Sequence, residues 1–483
     1  MTELHTRADV IKAAKEAANI ISSTYGPNGR LVLFDGTPGL RDGKPRASKD
    51  GVTIATLLSS DDKATNLGYS LVKDACLSTN GKRGDGTTLT AILTSYFLKE
   101  YASLPPVKAI AAIEKDEKTV LEQLKKHTLP INKKRMIAVA TIAGNNDQEL
   151  GKAIGSLAYK LGSKGKIMAE YANQPNVTVE RKPGYTAKGK NPVVVSPFQL
   201  PNPASKLMLE NVRVVLIHDA INDQRQIVEL LKKFESRKFK GEKYKGEDIL
   251  IIAGDLSGDA LDVIVTNHAT YKNSKGAKGI NVWGIRNPYS GTEGLDYLLD
   301  IAHITGAKVL SSRTGYSLRA ANDKRLDEFV GWCERAGVSS HELVIFGKEP
   351  TKEYLNSVEG ERRSKLKDGV TIVKIGGSSE VEQIENGTKV DDIIGATQSA
   401  WEGVVPGGGY VFQKAGINAP TNLLAEHAGI EPPVFEDKGF DFKRKEWVDK
   451  DAILNAASVV REALKSAVSV SKVILRSEHV ITL

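Results

Sequence analysis

Between Val212 and Ser311 the chain alternates short apolar runs with amphipathic stretches, and this alternation constrains the fold more than any other feature. Strands are read at Val212–Asp219, Asp248–Gly254, Gly279–Ile285 and Ala307–Ser311, with helices at 223–237, 257–269 and 291–305 between them. Such repetition predicts a parallel sheet covered by helices. The two ends read differently. Residues 8–23 place Val10, Ala14, Ala17 and Ile21 at helical spacing, and Gly26-Pro27 stops that helix. A short strand follows from Arg30 to Asp35, then helices near 65–79, 88–102 and 107–127, with another at 451–475. A chain of 483 residues exceeds a single core. The expectation is an α/β domain inserted into a helical one, with joints at Pro183-Gly184 and Asp368-Gly369.

Gly84-Asp85-Gly86-Thr87-Thr88 stands directly ahead of a helix whose one face reads Leu89, Ile92, Leu93, Tyr96 and Phe97. Two glycines let backbone approach an anion, and a helix N-terminus points unpaired N–H groups at it. The threonines can cap the helix or reach phosphate oxygens, and Asp85 is the hard carboxylate that Mg²⁺ needs among phosphates. An ordinary glycine turn would look the same, but other glycine loops stand at 24–30, 48–52 and 403–409. Together they could converge on one nucleoside triphosphate. The stretch from Gly184 to Asn191 nearly spells a P-loop. Asn191 replaces the Ser/Thr and Pro192 obstructs the helix, so it is read as a hinge loop.

In order, Tyr25-Gly-Pro-Asn-Gly-Arg30, Lys49-Asp-Gly-Val52, Gly84-Asp-Gly-Thr-Thr88, Ala140-Thr-Ile-Ala-Gly-Asn-Asn-Asp147, Gly403-Val-Val-Pro-Gly-Gly-Gly409 and Gly429-Ile-Glu-Pro432 resemble the group I chaperonin family (GroEL-like) over nearly the whole chain. The resemblance implies an α+β multidomain fold. A discontinuous helical equatorial domain would comprise 1–130 and 403–483, a discontinuous intermediate hinge domain 131–185 and 370–402, and an inserted α/β apical domain 186–369. It implies an ATP-dependent protein-folding chaperonin with ATPase activity, built as a homo-oligomeric ring of seven subunits. Such a ring binds non-native polypeptides, refolds them in its cavity and takes a lid-like co-chaperonin as partner. The implied cofactors are ATP and Mg²⁺, with K⁺ as a further candidate cation.

Carried over position by position, the resemblance gives Asp85 to the metal and wraps the phosphates with Thr24, Tyr25, Gly26 and Pro27, together with Gly86, Thr87 and Thr88. Lys49 lies beside the phosphates, Asp50 near the attacking water, Gly408 at the ribose and Asp449 at its hydroxyls. Asp50 could instead cap a turn, and Asp449 could be the N-cap of a helix beginning near Asp451. The catalytic carboxylate matches Asp392 on the intermediate helix; Asp391 is adjacent, and Ala396-Thr397 sets the register. The polypeptide groove matches Val194, Phe198, Val228, Leu231, Leu261, Val265 and Thr266, which could equally be helix faces packed on the sheet.

The chain also departs from the family. It is short between Gly409 and Gly429, lacks the Asn-Ala-Ala adenine hairpin, looks trimmed near 355–368 and ends at Ile481-Thr-Leu without a Gly-Met tail. Phe440 or Phe442 could stack on the base instead. Glu431 lacks its ring–ring arginine, around Asn422, which suggests a single ring. These economies fit a compact, phage-encoded member.

The net charge of +8 differs from the acidic balance usual in the family. The lysines are densest at 232–245, where glutamates interrupt them, so a solvated surface outweighs a nucleic-acid patch. A basic nucleic-acid-associated scaffold and an ATP-independent ring holdase stand as rival readings. Cys76 and Cys333 form no disulfide framework or zinc spacing, no leader is apparent and no apolar run spans a bilayer. The expected location is cytoplasmic, that of the host cell if phage-encoded.

Overall fold

The computed structural model describes residues 3–37, 40–163, 165, 167–188, 207–239, 248–276, 278–316, 326–339 and 342–482. The chain divides into two compact units. One holds Met1–Ser163, Ala169–Thr178 and Val373–Leu483; the other holds Lys164–Met168 and Val179–Ile372. The fold is α+β, with an α/β unit inserted into a helical one.

In the helical unit, helix Arg7–Ser22 opens on a capping box. The Thr6 hydroxyl accepts from Asp9 N–H, and the Asp9 carboxylate accepts from Thr6 N–H. Val10, Ala14, Ala17 and Ile21 are buried, as their spacing predicts, where this helix packs on helices Lys63–Arg83 and Thr87–Tyr101. Helix Ala457–Arg476 lies against the same pair and against Pro106–His127, so both ends of the chain build one core. Strand Glu3–Thr6 pairs antiparallel with His479–Thr482. The last helix begins later than its sequence suggests. Leu454–Ala456 is a strand paired with Val404–Pro406, because Asn455 and its neighbours satisfy their backbone in a ladder before the helix starts. The strand read at Arg30–Asp35 occupies Val32–Thr37 and pairs with Leu40–Ser48.

In the inserted unit, Leu207–Ile221, Asp248–Leu256 and Val282–Arg286 form parallel neighbours, and Val309–Leu310 joins Leu207–Ile221, also in parallel. Successive residues point to opposite faces, so Val215 and Ile217 enter one core and Leu216 the other. Helices Gln224–Phe239 and Gly258–Asn273 cover one face, and Gly291–Thr305 the other. The sheet is mixed rather than purely parallel. Gly331–Val338, Glu342–Phe346 and Tyr185–Lys188 extend it in antiparallel order. Tyr185–Lys188 is therefore a strand and not a hinge loop. Tyr185 and Ala187 are buried in alternation, and Gly189, Lys190 and Asn191 lie outside the described residues.

Candidate functional site

Helix Thr87–Tyr101 starts without a side-chain cap. Its N-cap is Gly86, at φ 98°, and the preceding helix ends on Gly84, at φ 72°. Two left-handed glycines thus flank Asp85, whose carboxylate accepts from Gly86 N–H at 2.5 Å. The Thr87 hydroxyl is buried and has no hydrogen-bond partner. A buried donor left unsatisfied is costly. Beside uncapped helix N–H groups and the positive end of the helix, it marks a place shaped for an anion's oxygens. The backbone is also close-packed here. A Cβ on Gly86 would lie 3.0 Å from Thr79 Cγ2 and 3.0 Å from Val459 Cγ1; one on Gly51 would lie 2.6 Å from Thr88 Oγ1.

That Gly51 contact brings Asp50 to the same turn. Asp50 caps helix Gly51–Leu57, accepting from Val52 N–H (3.1 Å), Thr53 N–H (2.8 Å) and the Thr53 hydroxyl (2.6 Å). The capping alternative is therefore observed, and it fixes a negative charge beside Asp85. Lys49 is exposed. Thr24 is buried and donates to Ile21 C=O at 2.9 Å, while His427 Nδ1 lies 2.9 Å from Tyr25 C=O. Gly26 has φ 77°, and a Cβ there would lie 2.2 Å from Leu424 Cδ2. Helix Ala419–Ala428 therefore anchors the Thr24–Pro27 turn. Burial, and then the Asp85 charge, push the Tyr25 phenol well above its ordinary value, which places the two loops side by side.

Asp392 sits on helix Glu380–Ser399, whose Ser399 hydroxyl donates to Arg83 C=O at 2.8 Å. Burial raises the Asp392 carboxyl far above the usual carboxylate range, reinforced by Asp85, Asp50 and Asp391. Asp85 is raised as well, by burial and by Asp50, against the lowering bond from Gly86. Three carboxylates thus converge. No group of three His, Cys, Asp or Glu among the described residues is arranged to hold a metal by itself. A hard divalent cation fits here through one carboxylate with the remaining ligands from phosphates and water, a common Mg²⁺ arrangement.

The crowding has a thermodynamic consequence. A carboxyl whose folded pKa is raised favours the fold while protonated, and it loses that contribution as pH rises through the folded value. In the nucleotide-free protein, Asp392→Asn should therefore raise the melting temperature near neutral pH. The gain should shrink as pH falls through the window between the raised value and 3.8. Melting curves across that range check it; a gain independent of pH would contradict it.

Gly408 has φ 68°, accepts through its carbonyl from the Thr421 hydroxyl at 3.1 Å and would, with a Cβ, meet Phe442 Cε2 at 3.1 Å. Asp449 is exposed at the end of a hairpin formed by Lys438–Asp441 and Glu446–Asp449, where it accepts from Asp451 N–H at 3.1 Å. It is not a helix N-cap. A hairpin is thus present there, without the Asn-Ala-Ala motif. Phe440 and Phe442 are buried and pack on each other (5.1 Å), so neither ring is free to stack on a base; Trp447 is the half-exposed aromatic of the hairpin.

In the inserted unit, Val194 and Phe198 lie outside the described residues. Val228, Leu261 and Val265 are half-buried and Thr266 is exposed, on two helices that pack side by side. Leu231 is only 4% exposed and belongs to the core with Ile227, Leu230 and Phe234, so it cannot present a surface. Lysines 240–245 also lie outside the described residues. No helix is long and apolar enough to cross a membrane among the described residues.

The residues that hold these loops carry no recognisable motif: His427, Leu424, Thr421 and Ser399. Their roles depend on long-range contacts that spacing along the chain does not reveal.

Comparison with known proteins gives a family and a fold. The model of the TCP-1/cpn60 chaperonin family matches residues 17–417. The chaperonin gp146 from bacteriophage EL 2 (Pseudomonas aeruginosa), crystallised in the presence of ATP-BeFx, is 19% identical, with a TM-score of 0.67 and 99% of each chain covered. A second crystal form of gp146 gives 18% identity and a TM-score of 0.62, over 99% of this chain and 98% of the other.

Proposed function

The chain belongs to the TCP-1/cpn60 chaperonin family, and on that premise we propose that it is an ATP-driven protein-folding chaperonin. The observation that carries this is the unpartnered, buried Thr87 hydroxyl at an uncapped helix N-terminus beside Asp85, with the charges of Asp50 and Asp392 converging on the same turn. Thr87, Thr88 and the first N–H groups of their helix bind triphosphate oxygens, and the Thr24–Pro27 turn closes over them. Asp85 holds Mg²⁺, which supplies charge neutralisation of the phosphates when bound; K⁺ is a second candidate cation. Gly408 and Asp449 take the ribose, and Lys49 reaches the phosphates.

Asp392 orients water and accepts its proton. A cation beside Asp85 would draw the raised Asp392 carboxyl back toward its ionised form, the form that can accept a proton. Asp50, with its oxygens already engaged in the cap, contributes mainly as fixed negative charge. With Asp392 on a hinge domain at 131–185 and 370–402, hydrolysis waits for closure onto the equatorial parts, 1–130 and 403–483.

The apical part, 186–369, binds non-native chains through Val228, Leu261, Val265 and Thr266, with Val194 and Phe198. Unfolded chains share exposed apolar groups and little else, and a ring of weak patches binds them by avidity. The assembly is a homo-oligomeric ring, heptameric and single, closed by a co-chaperonin lid and working in the host cytoplasm.

Refolding of a chemically denatured client enzyme tests the reading. The full-length protein should suppress aggregation without nucleotide and restore client activity only with Mg-ATP. Equal recovery with and without ATP would leave a passive holdase.

A further inference from the structure

Helix Glu380–Ser399 meets the Gly84–Thr88 turn through two glycines. A Cβ on Gly395 would lie 2.3 Å from Gly84 C=O oxygen and 2.6 Å from Gly84 Cα; a Cβ on Gly84 would lie 2.5 Å from Gly395 Cα. The atoms met are backbone, which cannot swing aside as a flexible side chain would. Gly84, at φ 72°, needs glycine for its own conformation. Gly395 does not, since it sits in the interior of a 20-residue helix with no positive φ. There glycine is a poorer helix former than alanine. What it gains is the close approach.

The same helix face is fastened again one turn later, where the Ser399 hydroxyl donates to Arg83 C=O at 2.8 Å. Asp392, Gly395 and Ser399 stand at i, i+3 and i+7, which is one face of a helix. The helix is also fitted tightly on its other side: a Cβ on Gly144 would lie 2.7 Å from Ile393 Cδ1. A side chain at 395 thus cannot be absorbed by sliding the helix sideways. The helix must lift off the turn.

We infer that Gly395 is a positioning residue. Its missing side chain lets the helix seat on the Gly84 backbone, and that seating carries Asp392 to the Asp85 and Asp50 carboxylates. The inference rests on the reading of Asp392 as the hydrolytic base. Misplacing a catalytic group by about 1 Å can cost roughly 100-fold in rate.

The test is Gly395→Ala in the full-length protein, with Gln398→Ala as control, an exposed position on the same helix. For Gly395→Ala, kcat for ATP should fall roughly 100-fold while nucleotide Kd stays within about threefold, a split expected when only transition-state interactions are lost. Without nucleotide, hydrogen exchange of the amides in 83–88 should accelerate, and the melting temperature should fall only slightly, because alanine's preference for the helix offsets part of the lost packing. The control should match wild type in all four measurements. Wild-type kcat and wild-type exchange in Gly395→Ala would overturn the inference. So would a parallel loss of affinity, turnover and melting temperature, which describes plain destabilisation. A wild-type protein without turnover would instead overturn the reading of Asp392, and unchanged exchange in Gly395→Ala would then separately reject the seating.

Discussion

Asp392→Ala is expected to lower steady-state ATP turnover by about 10²–10⁴-fold, the usual worth of a general base, while nucleotide affinity changes by less than about threefold. Asp392 stands on a helix fastened to the Arg83–Gly84 backbone, and its carboxyl feels both Asp85 and Asp50. It has no role in building the anion cradle, which is formed by the Gly86–Thr88 helix start and the Thr24–Pro27 turn. Removing it also removes a crowded negative charge, so the fold should not suffer. Turnover at saturating Mg-ATP, measured beside equilibrium nucleotide binding, separates the two effects. A fall in affinity equal to the fall in turnover would place Asp392 in binding rather than in the chemical step.

Where residue type itself dictates conformation, the fold and site were legible in the sequence. Gly84 and Gly86 adopt the left-handed conformations that their motif suggests, and Asp85 lies between them. Asp50 is followed by Gly51 and Val52 at the spacing of a helix cap, and it caps. The 212–311 alternation reads as strands and helices because each strand is buried on both faces of the sheet.

The misses have physical causes as well. The hairpin at Lys438–Asp449 is hidden by Lys443, Arg444 and Lys445, a run that looks like solvated surface. Yet Asp441 accepts from Lys443 and Arg444 N–H groups and Lys445 takes φ 60°, a turn of which Asp441 was the visible sign. Leu231 belongs to the stripe Ile227, Leu230, Leu231, Phe234, and that spacing alone argued for the core. Antiparallel additions such as Gly331–Val338 leave no strand–helix rhythm, because this strand pairs with the neighbouring Glu342–Phe346 and with the distant Leu207–Ile221 without a helix between strands. Gly395 could not be seen as special, since its partner lies more than three hundred residues earlier in the chain.

Asp85→Ala should weaken Mg-ATP binding by roughly 100-fold or more. Losing even an outer-shell partner of a metal costs about 10–100-fold, and Asp85 is the proposed direct ligand. The protein should remain folded. In the nucleotide-free state Asp85 accepts from its neighbour Gly86 N–H and is repelled by Asp50, so its removal relieves charge rather than breaking a core contact.

That variant also frames the decisive measurement, a calorimetric titration of the full-length protein with a non-hydrolysable ATP analogue and Mg²⁺. The separated loops at 24–27, 50–53 and 84–88 should together give saturable binding of about one nucleotide per chain, lost when Mg²⁺ is chelated and in Asp85→Ala. A wild-type protein that binds nothing, or an Asp85→Ala protein that binds as well as wild type, would contradict it.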